Sequence, residues 1–439
     1  MIRWIGVAPV ALAVLVSTWA PPSPLWATAR QASAQSSDPV LPRVRQEQQA
    51  YLDTLRNLIS IESGSSDVEG LATIAELIAG RLRALGGEVE FVEPPANMVR
   101  FENTPPKTGK SVVARFRGTG TKRVLLLAHM DTVYLHGMLA KQPFRIDGDR
   151  AYGLGIHDDK QGVALILHTI GVLHALNFRD YGLLTVLING DEEVSSAGSR
   201  TLITQLGSEH DLVLSCEGSD RTDAIRLTTA GIAAVQLKVI GRASHAGGAP
   251  EQGRNALYEL SHQILQTRDL SNAETGVKMN WTLATAGSAR NVIPGEARAT
   301  ADVRVMKVAD YDGIERQVRE RIRTQLIPDT RVEMVFERTR PPLEITPAGR
   351  SVAAHAQRIY NEIGHRLEVQ TTAPGGGTDA AFAALQTKAA VIEGFGLRGF
   401  GAHSNDAEYV EIPSIETRLY LLVRLVMDAS QGKAGNTTN

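Results

Sequence analysis

Leu125-Leu126-Leu127-Ala128-His129-Met130-Asp131-Thr132 begins as four apolar residues and ends in an imidazole and a carboxylate. The apolar run predicts a buried strand. Side chains two apart on an extended segment point to the same side, so His129 and Asp131 project together from its tip. That pairing suits a metal ligand and the group that orients it. Taken alone, the stretch fits a surface histidine beside a surface aspartate equally well.

Working outward, apolar positions at helical spacing predict helices over Val44–Leu58 and Leu71–Leu85, the second stopping at Gly86-Gly87. Strand signals follow at Glu88–Val92, Ser111–Phe116 and Val124–Ala128. Gly162–Leu176 is a long apolar helix, and Leu183–Ile188, Asp211–Ser215 and Ala389–Ile392 are apolar runs of strand length. Strands alternating with helices predict an α/β layered domain. The middle of the chain reads differently. It runs strand Ala233–Ile240, helix Asn255–Thr267, strands Lys278–Ala284 and Glu296–Val305, helix Asp310–Leu326, strand Arg331–Glu337. That β-α-β-β-α-β order is the ferredoxin-like unit. The expected organisation is therefore an α/β domain over 35–228 and 342–428, with a ferredoxin-like domain over 229–341 inserted into it. A helix over Ser414–Met427 ends the fold, and 429–439 reads as a small, polar, disordered tail.

Ahead of the fold, Arg3, the mostly apolar Ile5–Trp19 and the small-x-small sites Ala27-Thr28-Ala29 and Ala32-Ser33-Ala34 predict a secretory signal peptide over 1–34, cut after Ala34 or Ala29. The alternative is an uncleaved anchor, for which the run is short and interrupted by Pro9. Ser36–Arg43 reads as a linker. Export without disulfides suits a bacterial periplasm. The net charge of −2 gives no electrostatic case for nucleic acid or an anionic membrane surface. One cysteine, Cys216, excludes an intrachain disulfide and a thiolate zinc site, so any metal must sit on His, Asp and Glu.

Such residues follow the apolar runs repeatedly. His129 and Asp131 follow one strand, Glu192-Glu193 a second and Glu217 a third, and His403 lies in a Gly-rich loop after a fourth. In open α/β sheets, sites form outside the carboxyl ends of the strands. Gly153-Leu154-Gly155-Ile156-His157-Asp158-Asp159-Lys160 adds two adjacent carboxylates before a helix. One of them reads as an N-cap, while a bound cation would hold the repelling pair. Donors of this kind suit zinc, manganese or cobalt. Two divalent ions, three carboxylates (Asp158, Glu193 and Glu217) and a bridging hydroxide balance in charge, as in a hydrolytic two-metal centre. Glu192 is then left as a free carboxylate placed to act as general base.

Ala-His-Met-Asp-Thr-Val at 128–133, Gly-Ile-His-Asp-Asp-Lys at 155–160, Asp-Glu-Glu at 191–193, Ala-Ser-His-Ala-Gly at 243–247, Gly-Gly-Gly-Thr-Asp-Ala-Ala at 375–381 and Gly-Ala-His-Ser-Asn-Asp-Ala-Glu-Tyr at 401–409 together resemble the cocatalytic di-zinc family of glutamate carboxypeptidases, aminoacylases and desuccinylases. The resemblance spans roughly 45–428 and is closest to folate-cleaving enzymes of the carboxypeptidase G type. It implies one zinc on His129 and Glu217, a second on Glu193 and His403, and Asp158 bridging both, with a cis Asp158–Asp159 peptide. Glu192 would be the general base and acid, and Asp131 would hold the His129 ring. His245 would reach a partner subunit's site to stabilise an oxyanion, which implies a homodimer through the lid; read alone, it is a loop histidine. Asn291, Arg304, Arg340 and Gly376 match substrate-contacting positions, and arginine suits a free carboxylate. Arg340 reads equally as a solvated strand end. Gln161 departs from the Gly common after Asp-Asp-Lys, and Gly218-Ser219-Asp220 leaves the substrate rim open. His136, His157, His168 and His174 match no role.

The expected activity is removal of a C-terminal amino acid, glutamate foremost, from an N-acyl or peptidyl substrate by a metal-bound hydroxide. The substrate would be a small molecule or short peptide with a free carboxylate, and the cofactor two Zn2+ per subunit, with Mn2+ or Co2+ possible. Alternatives are an N-acyl-amino-acid amidohydrolase or a dipeptidase of the same family and, from another class, a non-catalytic periplasmic binding protein.

Overall fold

A computed structural model describes residues 38–404 and 407–434. The expected signal peptide and the last five residues lie outside that range. At the centre is a six-stranded sheet in the order 88–92, 111–117, 183–189, 123–129, 212–215, 390–392. The strand 111–117 runs antiparallel to both its neighbours, and the last four strands are mutually parallel. The strand Arg123–His129 sits in the interior of this sheet. Val124, Leu126 and Ala128 join the larger hydrophobic cluster, with the helices Gln161–Ala175 and Ser414–Ser430. Leu125 and Leu127 join the cluster on the opposite face, with Ile203, Leu206 and Phe382. Both faces of the strand are covered, which is why its sequence is continuously apolar rather than alternating.

The inserted segment forms its own antiparallel sheet, ordered 278–286, 296–305, 231–240, 331–340. The strand Gly231–Ile240 alternates buried and half-buried positions along its whole length. Its buried face packs on the helices Ala256–Thr267 and Asp310–Arg321 through Leu260, Ile314 and Val318. A short ribbon pairing Ser244–His245 with Val292–Ile293 is added to the β-α-β-β-α-β order. A third sheet is small and antiparallel, in the order 399–400, 409–411, 150–152, 145–147. It matters because the loops carrying Asp158 and His403 both grow out of it.

Several boundaries differ from the sequence expectations. The first helix is two, Val40–Arg45 and Gln48–Ile59; the break frees Glu47 to meet His168 of the long helix at 2.7 Å. The expected linker is helical from Val40, because Val40 and Val44 are buried in the core. The second lid helix ends at Arg321 rather than Leu326, because the buried Glu259 carboxylate takes the N–H groups of Leu326 and Ile327. The last lid strand runs on to Arg340, three residues past its expected end. The C-terminal helix continues through Ala429 and Ser430, both buried, so the polar tail starts later than expected.

Candidate metal centre

The four parallel strands end at one edge of the central sheet, and each delivers an acid or an imidazole there. His129 closes the strand 123–129. Glu192 and Glu193 open a 3-10 turn after 183–189, Glu217 follows 212–215 by two residues, and Glu393 follows 390–392 directly. Asp158 arrives from the turn after Tyr152, with Gly155 in the left-handed region at φ +70. The Asp158–Asp159 peptide is cis.

One carboxylate stands between two imidazoles. Asp158 Oδ1 lies 2.9 Å from His129 Nε2, and Asp158 Oδ2 lies 3.3 Å from His403 Nε2. Glu217 Oε1 is 3.4 Å from His129 Nε2, and Glu193 Oε2 is 3.1 Å from His403 Nε2. Two groups that could each hold a metal ion result, His129 with Asp158 and Glu217, and Asp158 with Glu193 and His403; the ligand atoms of each lie within 4.8 Å of one another. The residues fit such ions. Glu193 Oε1 is buried without a hydrogen-bond partner among the described residues, and the donor set is nitrogen and oxygen throughout.

The electrostatics are those of carboxylates crowded out of water. Burial pushes the Glu217 carboxyl well up, and burial with the neighbouring Asp158 charge pushes Glu193 up to about 8. Burial acts the same way on Asp158, but hydrogen bonds from His129 and His403 outweigh it and hold that carboxyl far below its usual range. Hydrogen bonds to Asp158 and Glu193 raise His403 to about 11. A divalent cation would supply the positive charge that the imidazoles otherwise supply by protonation.

The residues of this cluster also match at the level of whole chains. The sequence profile of Peptidase family M20/M25/M40 matches residues 125–428. Carboxypeptidase G2 from Pseudomonas sp. (strain RS-16) is 43% identical over 404 residues, covering 92% of this chain and 95% of that protein. The chain belongs to peptidase family M20/M25/M40. Among solved structures, a tripeptidase from Staphylococcus aureus superposes with TM-score 0.72 at 19% identity, covering 88% of this chain and 99% of that one. An M20 family metallo-carboxypeptidase from Sulfolobus solfataricus gives TM-score 0.69 at 16% identity, covering 86% and 98%. The two-domain α/β fold with its lid is thus the M20 fold, and the chain is a metal-dependent hydrolase acting on peptide or amino-acid substrates through a dinuclear metal site. A non-catalytic binding role is set aside.

In this M20 chain the supporting shell is more extensive than the motifs indicated. Asp131 Oδ1 is 3.4 Å from His129 Nδ1, and the same carboxylate accepts from the backbone N–H of Glu192 and Glu193 and from Ser65 Oγ. Neither aspartate of the pair caps the long helix. Asp159 instead accepts from Gln161 Nε2 at 2.7 Å, and Gln161 ties Cys216 O to Leu397 N. The departure at Gln161 therefore braces the loop without displacing the helix, which starts at Gln161 itself.

Glu192 is not free, contrary to expectation. It is buried and paired with Arg340, which also donates to its carbonyl. Two opposite charges buried side by side pair because neither can keep its water. For the same reason Arg340, only 6% exposed, is not a solvated strand end. Arg304 is held by Asp302 and donates to Gly375 O at 2.8 Å. With Gly376 and Arg340 it lines a cavity of about 460 Å3 that also contains Asp158, Glu193, Glu217 and His403. His245 and Asn291 do not line it; they sit at the exposed ribbon of the lid, where Ala246 N donates to Asn291 O. His168 is buried against Glu47, His174 is exposed, and His136 is exposed beside Glu62 and Asp67. His157 lines the cavity and donates from its ring Nε2 to Ser219 O at 2.9 Å, its ring packed against Gly218 and Gly399.

Three residues of the site escaped the sequence reading. Glu408 is buried and accepts from Tyr134 Oη and from the N–H groups of Gly155, His157 and Asp158. Its signal was the position five residues after His403. Glu393 obeys the same strand-end rule that found Glu193 and Glu217. Arg226, the residue ending a short strand, also lines the cavity.

Proposed function

We propose that this chain is a metallocarboxypeptidase that removes a C-terminal amino acid, glutamate foremost, from N-acyl or peptidyl substrates. The observation that carries the reading is the single Asp158 carboxylate standing between His129 and His403, each with its own second acid. His129, Asp158 and Glu217 would hold one ion, and Asp158, Glu193 and His403 the other, with zinc proposed at both. Bound divalent ions would polarise the scissile carbonyl and lower the pKa of a coordinated water.

The chain's own groups do the rest. Glu192 takes the proton of the attacking water and returns it to the leaving amine. Arg304, Arg340 and Gly376 form the wall that faces the substrate carboxylate, which would share the two guanidinium groups with Asp302 and Glu192. His245 accepts at Nδ1 from Gly247 N and Gly248 N, which leaves its proton at Nε2 as a donor to an oxyanion. Because His245 lies off the cavity of its own chain, this role is assigned across a homodimer. Leu257, Tyr258 and Val292, large and exposed on the same part of the lid, support that assembly.

The relative at 43% identity is by name a carboxypeptidase, which supports this reading over aminoacylase or dipeptidase activity. The leader-like stretch 1–34 supports a secreted or periplasmic enzyme. Among the described residues no helix is long and apolar enough to cross a membrane. The test is metal analysis of purified protein followed by a panel of N-acyl-glutamates, N-acetyl amino acids and dipeptides. Faster turnover of a dipeptide or an N-acetyl amino acid than of any N-acyl-glutamate would replace the reading.

A further inference from the structure

Three arginines line the cavity that holds the metal centre, and they are not equivalent. Arg304 is gripped by Asp302 through Nε at 2.9 Å and Nη2 at 2.8 Å, with Nη1 on Gly375 O. Arg340 is paired with Glu192. Arg226 has neutral hydrogen-bond partners only, Gln370 Oε1 through Nε and Gly218 O through Nη1, both at 3.2 Å. Its carboxylate neighbour within 4 Å, Glu393, stands at 3.9 Å, beyond hydrogen-bond length. Arg226 Nη2 donates to no protein group among the described residues.

The guanidinium is also fixed and largely out of water. The Arg226 side chain is 15% exposed. Its backbone is clamped to Glu393 in both directions, N to O at 2.8 Å and O to N at 3.1 Å. Gly218, which accepts from Nη1, follows the candidate ligand Glu217 directly. A half-buried cation held beside a reaction centre with the donors of Nη2 unused is a receptor for an anion.

We propose that Arg226 is a specificity-determining residue that binds the side-chain carboxylate of an acidic C-terminal residue, while the α-carboxylate goes to the lid arginines. This rests on the carboxypeptidase reading and names the feature that selects glutamate.

The experiment compares N-benzoyl-L-glutamate with N-benzoyl-L-glutamine, which are nearly isosteric and differ in one charge. Wild type, R226M and R226K are assayed with zinc loaded, and binding of free L-glutamate and L-glutamine is measured by calorimetry. The wild type should favour glutamate. R226M should lower the glutamate-to-glutamine ratio of kcat/KM by about tenfold to a hundredfold, the value of a charge-assisted hydrogen bond, chiefly through KM. R226K should recover part of it, which a purely structural role would not produce. An unchanged ratio in R226M, or a wild type indifferent to the two, overturns the proposal while leaving the carboxypeptidase intact. If the wild type cleaves neither compound, the glutamate carboxypeptidase reading fails. Calorimetry then still decides, since preferential glutamate binding lost in R226M upholds Arg226 and equal binding of both amino acids overturns it.

Discussion

Asp131 accepts the backbone N–H of Glu192 at 2.9 Å, so the strand that carries His129 also fixes the residue proposed as base. One carboxylate thus sets both a metal-binding ring and a proton carrier. Asp131→Ala should lower metal affinity by about tenfold to a hundredfold, the usual cost of losing a partner behind a ligand, and should lower kcat as well. Competitive chelation and steady-state rates would measure the two effects. A fall in neither would remove Asp131 from the site.

Glu192→Gln keeps the shape of the residue and removes its basicity. Turnover should fall by roughly a hundred- to ten-thousandfold, the range of a general base, with metal content unchanged by elemental analysis. Loss of metal would make Glu192 a ligand instead.

Asp158 serves both candidate metal groups, whereas Glu217 serves one. Asp158→Asn should therefore deplete both ions, and Glu217→Gln mainly the ion on His129. Equal metal contents in the two variants would contradict a bridging Asp158.

Glu408 takes three backbone N–H groups of the loop that ends in Asp158. An amide in its place offers a single acceptor oxygen, and its NH2 faces donors. Glu408→Gln should weaken metal binding and alter the visible spectrum of the cobalt-substituted enzyme. A wild-type spectrum with wild-type affinity would reduce Glu408 to a distant brace.

Away from the centre, the hydrogen bond with His168 is the main cause holding the Glu47 carboxyl below its ordinary value of 4.5. The folded value lies below the unfolded one, so the stabilisation is complete above pH 4.5 and is lost as pH falls through the folded value. Glu47→Gln should lower Tm by a few degrees at neutral pH, on the order of one charge-assisted hydrogen bond. The gap should close below pH 4.5 in thermal unfolding followed from pH 7 to pH 3. A gap constant across that range would mean that the pair carries no linked proton.

The polar residues at strand ends were legible because a buried strand gives a carboxylate nothing to do. That logic located His129, Glu193 and Glu217 and, applied to one more strand, reaches Glu393. It does not reach Glu408, which the motif at 401–409 contains but which follows no apolar strand. Nor does it reach the Arg340–Glu192 pair. The hydrophobic alternation of the last lid strand fades before Arg340, and a contact 148 residues apart in sequence leaves no local trace. The split at Gln46–Glu47 was hidden in the same way, because the partner that favours it, His168, lies in another helix.

The inserted lid leaves and rejoins the chain at neighbouring points: Thr229 N donates to Leu343 O, and Leu343 N donates back to Thr229 Oγ1, both at 3.3 Å. His129, Asp131, Asp158, Glu192, Glu193, Glu217 and His403 all lie outside the segment so closed, while His245, Asn291, Arg304 and Arg340 lie within it. The candidate metal ligands and the lid residues proposed to meet a substrate therefore lie in separable stretches of the chain. A recombination event with breakpoints at 229 and 343 would pass on new lid contacts while leaving the metal-binding half of the protein, and Arg226 with it, as its ancestor had them.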